Sequence, residues 1–186
     1  MTKYTVKTMQ KKQETDEQLK YLFFWGHTPA KNGEITKSCL SQWWASEFEI
    51  DGINYRSAEQ FMMAEKARIF NDNKTRDLIL SSTHPKQAKD LGRKVMGFDE
   101  EIWRNERYNI VKRGNFAKFS QDERLKEFLL QTGNRVLVEA SPVDKIWGIG
   151  MAVDDKNVEN PHMWRGLNLL GFALMDVRDE LLEELG

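Results

Sequence analysis

The chain has 186 residues, which suits one domain or at most a domain and a half, and its 40% hydrophobic content is enough for a packed core at this size. Charged residues make up 31% and nearly cancel, to a formal net charge of −1, so no global signal points to nucleic acid or an anionic membrane. A single cysteine, Cys39, excludes an intrachain disulfide. The N-terminus is polar through Lys20, and no stretch approaches the ~20 apolar residues of a membrane helix, so the chain reads as a soluble cytoplasmic protein in a reducing compartment.

Residues 1–19 are rich in Lys, Gln, Thr and Glu and read as a polar extension, either a frayed tail or a short surface helix. Residues 20–186 read as one domain. Tyr21 to Trp25 is an aromatic run that predicts a buried strand. Thr28 to Lys37 carries Pro, Asn and Gly and predicts a loop. Phe48-Glu49-Ile50 and Ile53-Asn54-Tyr55 flank Asp51-Gly52, which predicts a β-hairpin. Ser57 to Phe70 is the clearest helix, with Ser57 as its cap and Gln60 completing a capping box. Further helices are predicted over Lys74 to Ser81, Pro85 to Arg93, Asp99 to Ser120 and Gln121 to Thr132. The third of these has a possible break at Gly114. Val136 to Ala140 is β-branched and apolar and predicts a strand. Ser141 to Pro161 is long and irregular, as functional loops often are. Asn168 to Leu185 predicts the last helix from its apolar periodicity. The sum is an α+β fold, a predominantly helical single domain with a small antiparallel sheet. The strand–helix alternation of a doubly wound parallel sheet is missing.

Several constellations bear on chemistry. Glu59 and Lys66 are two turns apart and share a helical face with Met62 and Met63. Glu59 falls in the first turn, where the helix dipole favours its ionised form. On helix physics alone it is equally a dipole-matched surface acid or a functional carboxylate. Asp144 precedes Trp147-Gly148-Ile149-Gly150, where glycines let backbone N–H groups approach a ligand. Trp103, followed by Arg104 and Arg107, is either core or a stacking platform for a flat ring. Arg56, Lys66, Arg93 and Lys118 form a scatter of basic groups, each read first as a solvated charge. Six tryptophans are present, and those beside glycine suggest a binding wall. The three histidines are far apart and give no metal spacing, so no metal or cofactor is expected.

Taken in order, these motifs resemble one family. Ser41-Gln42-Trp43-Trp44, Phe48 with Asp51-Gly52, and Ser57-Ala58-Glu59-Gln60 with Lys66-Ala67 are similar to the front half of the YbiA-like, or NADAR, family. Lys89 with Leu91-Gly92-Arg93, Trp103, Ala117-Lys118-Phe119, Leu137-Val138-Glu139, Asp144 with Trp147-Gly148, and Gly166 to Gly171 complete it. The resemblance covers roughly residues 21 to 182. It implies a largely helical N-glycosidase that hydrolyses a ribose C1′–N bond. The substrates it implies are early riboflavin-pathway phosphoribosylamino-pyrimidines, releasing ribose 5-phosphate, or ADP-ribosylated guanine in nucleic acid, releasing ADP-ribose. It places the essential carboxylate on Glu59, the helix aromatic on Trp103 and the loop aspartate on Asp144. Trp147, Gly148, Lys66, Arg93, Trp44 and Asn168 are the expected substrate-binding positions. The loop through residues 26–40 is longer than in the compact bacterial type, which favours a bulkier substrate. The rival expectations are a non-catalytic binder of ADP-ribose or NAD-like ligands, and an interaction module whose aromatics are only core.

Overall fold

The computed structural model describes residues 3–15 and 18–185; residues 1, 2, 16 and 17 of the polar extension, and residue 186, lie outside the described residues. In chain order the elements are α1 (Val6–Glu14), β1 (Tyr21–Phe24), β2 (Phe48–Ile50), β3 (Ile53–Tyr55), α2 (Ala58–Ile69), α3 (Asn73–Leu80), α4 (Pro85–Gly92), α5 (Glu100–Ser120), α6 (Glu123–Gln131), β4 (Val136–Glu139) and α7 (Leu169–Glu183). Helix predominates, and the fold is α+β with a small antiparallel sheet. None of the described helices is long and apolar enough to cross a membrane. By its contacts the chain resolves into two compact units, residues 1–40 with 127–186, and residues 41–126.

In the unit formed by the two ends of the chain, β1 and β4 pair in parallel, from Tyr21 opposite Val136 to Phe24 opposite Glu139. The aromatic and β-branched composition announces both strands. Their partnership is non-local and has no signature in either segment. Helix α7 packs on β4. Its approach is close enough that a Cβ at Gly171 would lie 2.1 Å from the Leu137 carbonyl oxygen. The polar N-terminal segment forms α1, with Thr5 and Thr8 in a reciprocal capping box.

In the unit spanning 41–126, β2 and β3 form the hairpin expected at Asp51-Gly52, with both turn residues at positive φ. Phe48, Tyr55 and Phe61 cluster behind it, the Tyr55 and Phe61 rings edge to face at 5.0 Å. Helix α2 is the hub and packs on α3, α4 and α5. Gly114 does not interrupt α5, which runs unbroken through it. The glycine instead makes room for a neighbour: a Cβ there would stand 2.5 Å from the Phe61 ring. The capping box expected at α2 is replaced by a longer reach. Ser57 Oγ accepts from the Gln60 N–H, but Gln60 Oε1 accepts from Arg56 N–H, at 2.8 Å, rather than from Ser57. The Gln60 amide then donates to carbonyls at Ile79 and Ser82, both at 3.0 Å, so the side chain ties α2 to the end of α3 and the turn after it.

Candidate active site

Glu59 occupies the second position of α2 and is 3% exposed. A helix start leaves its first N–H groups without intrahelical acceptors. Here Ser57 Oγ takes the N–H of Gln60, and the Glu59 N–H donates to the Gln42 carbonyl at 2.9 Å. The helix dipole favours a carboxylate at this end. The Glu59 side chain therefore enters a buried part of its unit from a fixed backbone, at the helix end suited to negative charge.

The segment that receives Glu59 is itself held from behind by α5. Ser41 to Trp44 forms a turn closed by Trp44 N–H to Ser41 O at 3.2 Å. Lys118 Nζ donates to the same Ser41 carbonyl at 2.9 Å. Asn115 Nδ2 donates to Gln42 Oε1 at 2.7 Å and to Val111 O at 2.9 Å. Gln42, Asn115 and Lys118 are all buried. Among the described residues, Gln42 Nε2 and Asn115 Oδ1 have no hydrogen-bond partner, which leaves one donor and one acceptor inside this polar cluster. Lys118 was expected as a solvated charge, and burial corrects that expectation: only 1% of the residue is exposed. Neither Gln42 nor Asn115 stands out in the sequence as a functional position.

Two turns along α2, Lys66 meets aromatic rings. Its Nζ stands 4.2 Å from the Phe98 ring centre and 5.7 Å from that of Trp103. Burial pulls the Lys66 ammonium below the ordinary lysine value, and the Glu100 charge partly offsets this. Trp103 is 8% exposed and Trp44 is buried as well. Arg93 is exposed, at the C-terminal cap of α4, with its guanidinium 3.5 Å from Asp90. Arg56 lines a cavity of about 300 Å³ together with Ser57, Gln60, Ser82, Thr83 and His84.

Asp144, Trp147, Gly148 and Asn168 belong to the other unit. Asp144 Oδ1 accepts from the N–H groups of Ile146 and Trp147, both at 2.8 Å, and Asp144 N–H donates to Ser141 Oγ at 3.1 Å. The aspartate thus builds the turn that presents Trp147, which is half-buried. Gly148 is buried, and its carbonyl accepts from the Asn168 N–H at 3.1 Å. The Asn168 amide is bound at both ends to β4, accepting from Glu139 N–H at 3.0 Å and donating to Leu137 O at 2.9 Å. Asn168 itself has φ of 52°, a left-handed conformation that asparagine tolerates better than most residues.

The nine residues singled out in the sequence therefore divide between the units: Glu59, Lys66, Trp103, Arg93 and Trp44 in one, Asp144, Trp147, Gly148 and Asn168 in the other. Lys66 and Trp103 are brought together. Asp144 and Trp147 are joined by a hydrogen bond.

The half-helical architecture finds its counterpart among known proteins. The NADAR domain model matches residues 23–182. N-glycosidase R617 of Acanthamoeba polyphaga mimivirus is 41% identical over 172 residues, covering 90% of this chain and 98% of the relative. The chloroplastic riboflavin biosynthesis protein PYRR of Zea mays is 31% identical over 139 residues, 71% of this chain but 20% of that longer protein. The NMR structure of the E. coli protein YbiA superimposes with a TM-score of 0.72 at 26% identity, covering 90% of this chain and 88% of that one. The fold and the relatives define the class, hydrolases acting on N-glycosyl bonds. The chain belongs to the NADAR domain family.

Proposed function

We propose that this enzyme hydrolyses the ribose C1′–N bond of a phosphorylated ribosylamine, with Glu59 as the catalytic carboxylate. The observation that carries this reading is the burial of Glu59 at the N-terminal turn of α2, where the Glu59 N–H donates to the carbonyl of Gln42, itself one of a set of buried polar residues. A carboxylate there is favoured in its ionised form by the helix dipole. Cleavage of an N-glycosidic bond develops positive charge at C1′, and a fixed carboxylate stabilises that charge or takes a proton from the attacking water. Water supplies oxygen to C1′, the C–N pair leaves with the amine, and the amine gains the proton. Trp103 is assigned to stacking the leaving base. Lys66 is assigned to the phosphate, and Arg93 is a more peripheral phosphate contact, since it is exposed. Asp144 uses Oδ1 to build its turn and Oδ2 to orient water or a ribose hydroxyl. Trp44, Gly148 and Asn168 keep their assignment as substrate-binding positions.

Early riboflavin-pathway phosphoribosylamino-pyrimidines are the first substrate class, supported by the name of the maize relative. ADP-ribosylated guanine is the second, supported by the extended segment after β1, where Trp25 is 61% exposed. A cytoplasmic location completes the reading, in keeping with the single buried cysteine. The test is a substrate panel scored for released ribose 5-phosphate against released ADP-ribose. Turnover of the pyrimidine compound supports the first class, and turnover of the modified guanine alone supports the second. Tight binding of ADP-ribose with no turnover of either would overturn the reading in favour of a binder.

A further inference from the structure

We infer that Lys118 and Asn115 are positioning residues for Glu59, acting through the Ser41–Gln42 segment; the inference rests on the catalytic reading of Glu59. The geometry is a relay of short polar contacts within residues 41–126. Asn115 and Lys118 are three apart on α5, so they share one face. Lys118 Nζ donates to the Ser41 carbonyl at 2.9 Å, and Asn115 Nδ2 donates to Gln42 Oε1 at 2.7 Å. The next carbonyl along the segment, that of Gln42, accepts the Glu59 N–H at 2.9 Å. The carbonyls of two consecutive residues therefore accept from the buried ammonium and from the catalytic helix start. A shift of the segment moves the first turn of α2, and with it the root of the Glu59 side chain.

Energetics support a functional role over a purely structural one. An ammonium with 1% exposure has given up most of its hydration, and replacing such groups by well-packed apolar side chains is often neutral or stabilising. The Gln42–Asn115 amide pair is half-satisfied, since Gln42 Nε2 and Asn115 Oδ1 lack partners among the described residues. A half-satisfied buried pair is a poor device for stability alone. The same ammonium adds positive potential on the α5 side of the segment, in a medium where charges are weakly screened. That potential and the helix dipole act in the same direction on the Glu59 carboxylate.

Lys118 and Asn115 touch neither substrate nor reacting atoms in this scheme, so their loss is expected in turnover rather than in substrate binding. The experiment measures kcat and KM for Lys118→Met, Lys118→Arg and Asn115→Asp, each in the wild-type and the Glu59→Gln backgrounds, with folding checked by circular dichroism. Lys118→Met removes the charge and keeps the buried stem. Asn115→Asp is isosteric but cannot donate to Gln42 Oε1. Both are expected to lower kcat by about tenfold or more with KM within about twofold. Lys118→Arg is expected to recover kcat to within about fivefold of wild type. In the Glu59→Gln background the same changes are expected to cost less than about twofold, because residues acting as a unit are non-additive. Unchanged kcat, a loss carried by KM, or a full additional loss in Glu59→Gln overturns the inference. If Lys118→Met does not fold, Asn115→Asp decides by the same criteria. Full turnover of Glu59→Gln itself would instead overturn the catalytic reading, so the two failures are distinguishable.

Discussion

The two units hold their acidic side chains in contrasting ways. In residues 41–126, Glu59 is buried and stands on a helix start whose backbone is fixed by the Gln42 carbonyl, in a Ser41–Gln42 segment held by Lys118 and Asn115 from α5. In the loop after β4, Asp144 is only partly buried, and its Oδ1 accepts two N–H groups from its own turn. The first arrangement places a carboxylate in a desolvated setting where its charge acts strongly. The second uses a carboxylate oxygen as a turn-builder, a role in which an amide oxygen serves almost as well. Similar residue types thus carry different tasks, and substitutions that keep shape but change charge separate them.

The largest expected effect tests whether residues 41–126 form a core that holds α2 rigidly. Phe61→Ala removes the ring that fills the space over Gly114 and packs against Tyr55 and Phe48. It is expected to cost about 3–5 kcal/mol in denaturant unfolding. A cost under about 1 kcal/mol would mean that α2 is not anchored by this cluster.

In the other unit, Gly171→Ala drives a methyl against the Leu137 carbonyl where α7 meets β4. Overpacking against backbone is expected to cost about 1–3 kcal/mol, read as a lower midpoint of thermal unfolding. Because the clash lies at the β4 strand that leads into the Asp144 turn, a fall in activity is expected to follow the fall in stability.

Asp144→Asn addresses the contrast itself. The amide oxygen can still accept from Ile146 and Trp147, so the unfolding temperature is expected to stay near wild type. Loss of the charge at Oδ2 is expected to lower kcat/KM by about tenfold. If activity were untouched, Asp144 would be a turn-builder alone; if stability fell sharply, the charge would belong to the turn.

The smallest effect concerns Asp72, which caps α3 and also accepts from the Met96 N–H at 2.9 Å. The Met96 N–H, followed by Thr75, holds this carboxyl below its ordinary value of 3.8. A depressed carboxylate contributes stability that is present above the ordinary value and is lost as pH falls through the folded-state value. The stability gap between wild type and Asp72→Asn is therefore expected to be constant near neutrality and to close on acidification below about 4. A gap that widens in acid would contradict the assignment.

Much of this fold was legible because its signals are local. The Asp51-Gly52 turn, the Ser57 cap and the apolar periodicity of α2 and α7 each lie within one segment. The pairing of β1 with β4 was not legible, since each strand's composition says nothing of a partner more than a hundred residues away. The same limit applies at the site. Glu59 was visible as a first-turn acid, and the family resemblance raised it to a catalytic candidate. Asn115 and Lys118 were not visible as its support, because a lysine is usually solvated and nothing in its neighbours reveals that this one is buried against Ser41. Gln60 departed from its expected capping box for a related reason. Three carbonyls at the end of α3 and just beyond it compete for its amide, and only the folded structure brings them within reach.

The most direct test of the central claim is the turnover of Glu59→Gln on whichever phosphorylated ribosylamine the wild-type enzyme cleaves fastest, with fold and substrate binding measured on the same sample. Glutamine keeps the size of the side chain and removes the charge. The expected result is a loss in kcat of about 10²-fold or more, with binding and unfolding temperature close to wild type. Turnover within about twofold of wild type would contradict the assignment of the chemistry to this carboxylate.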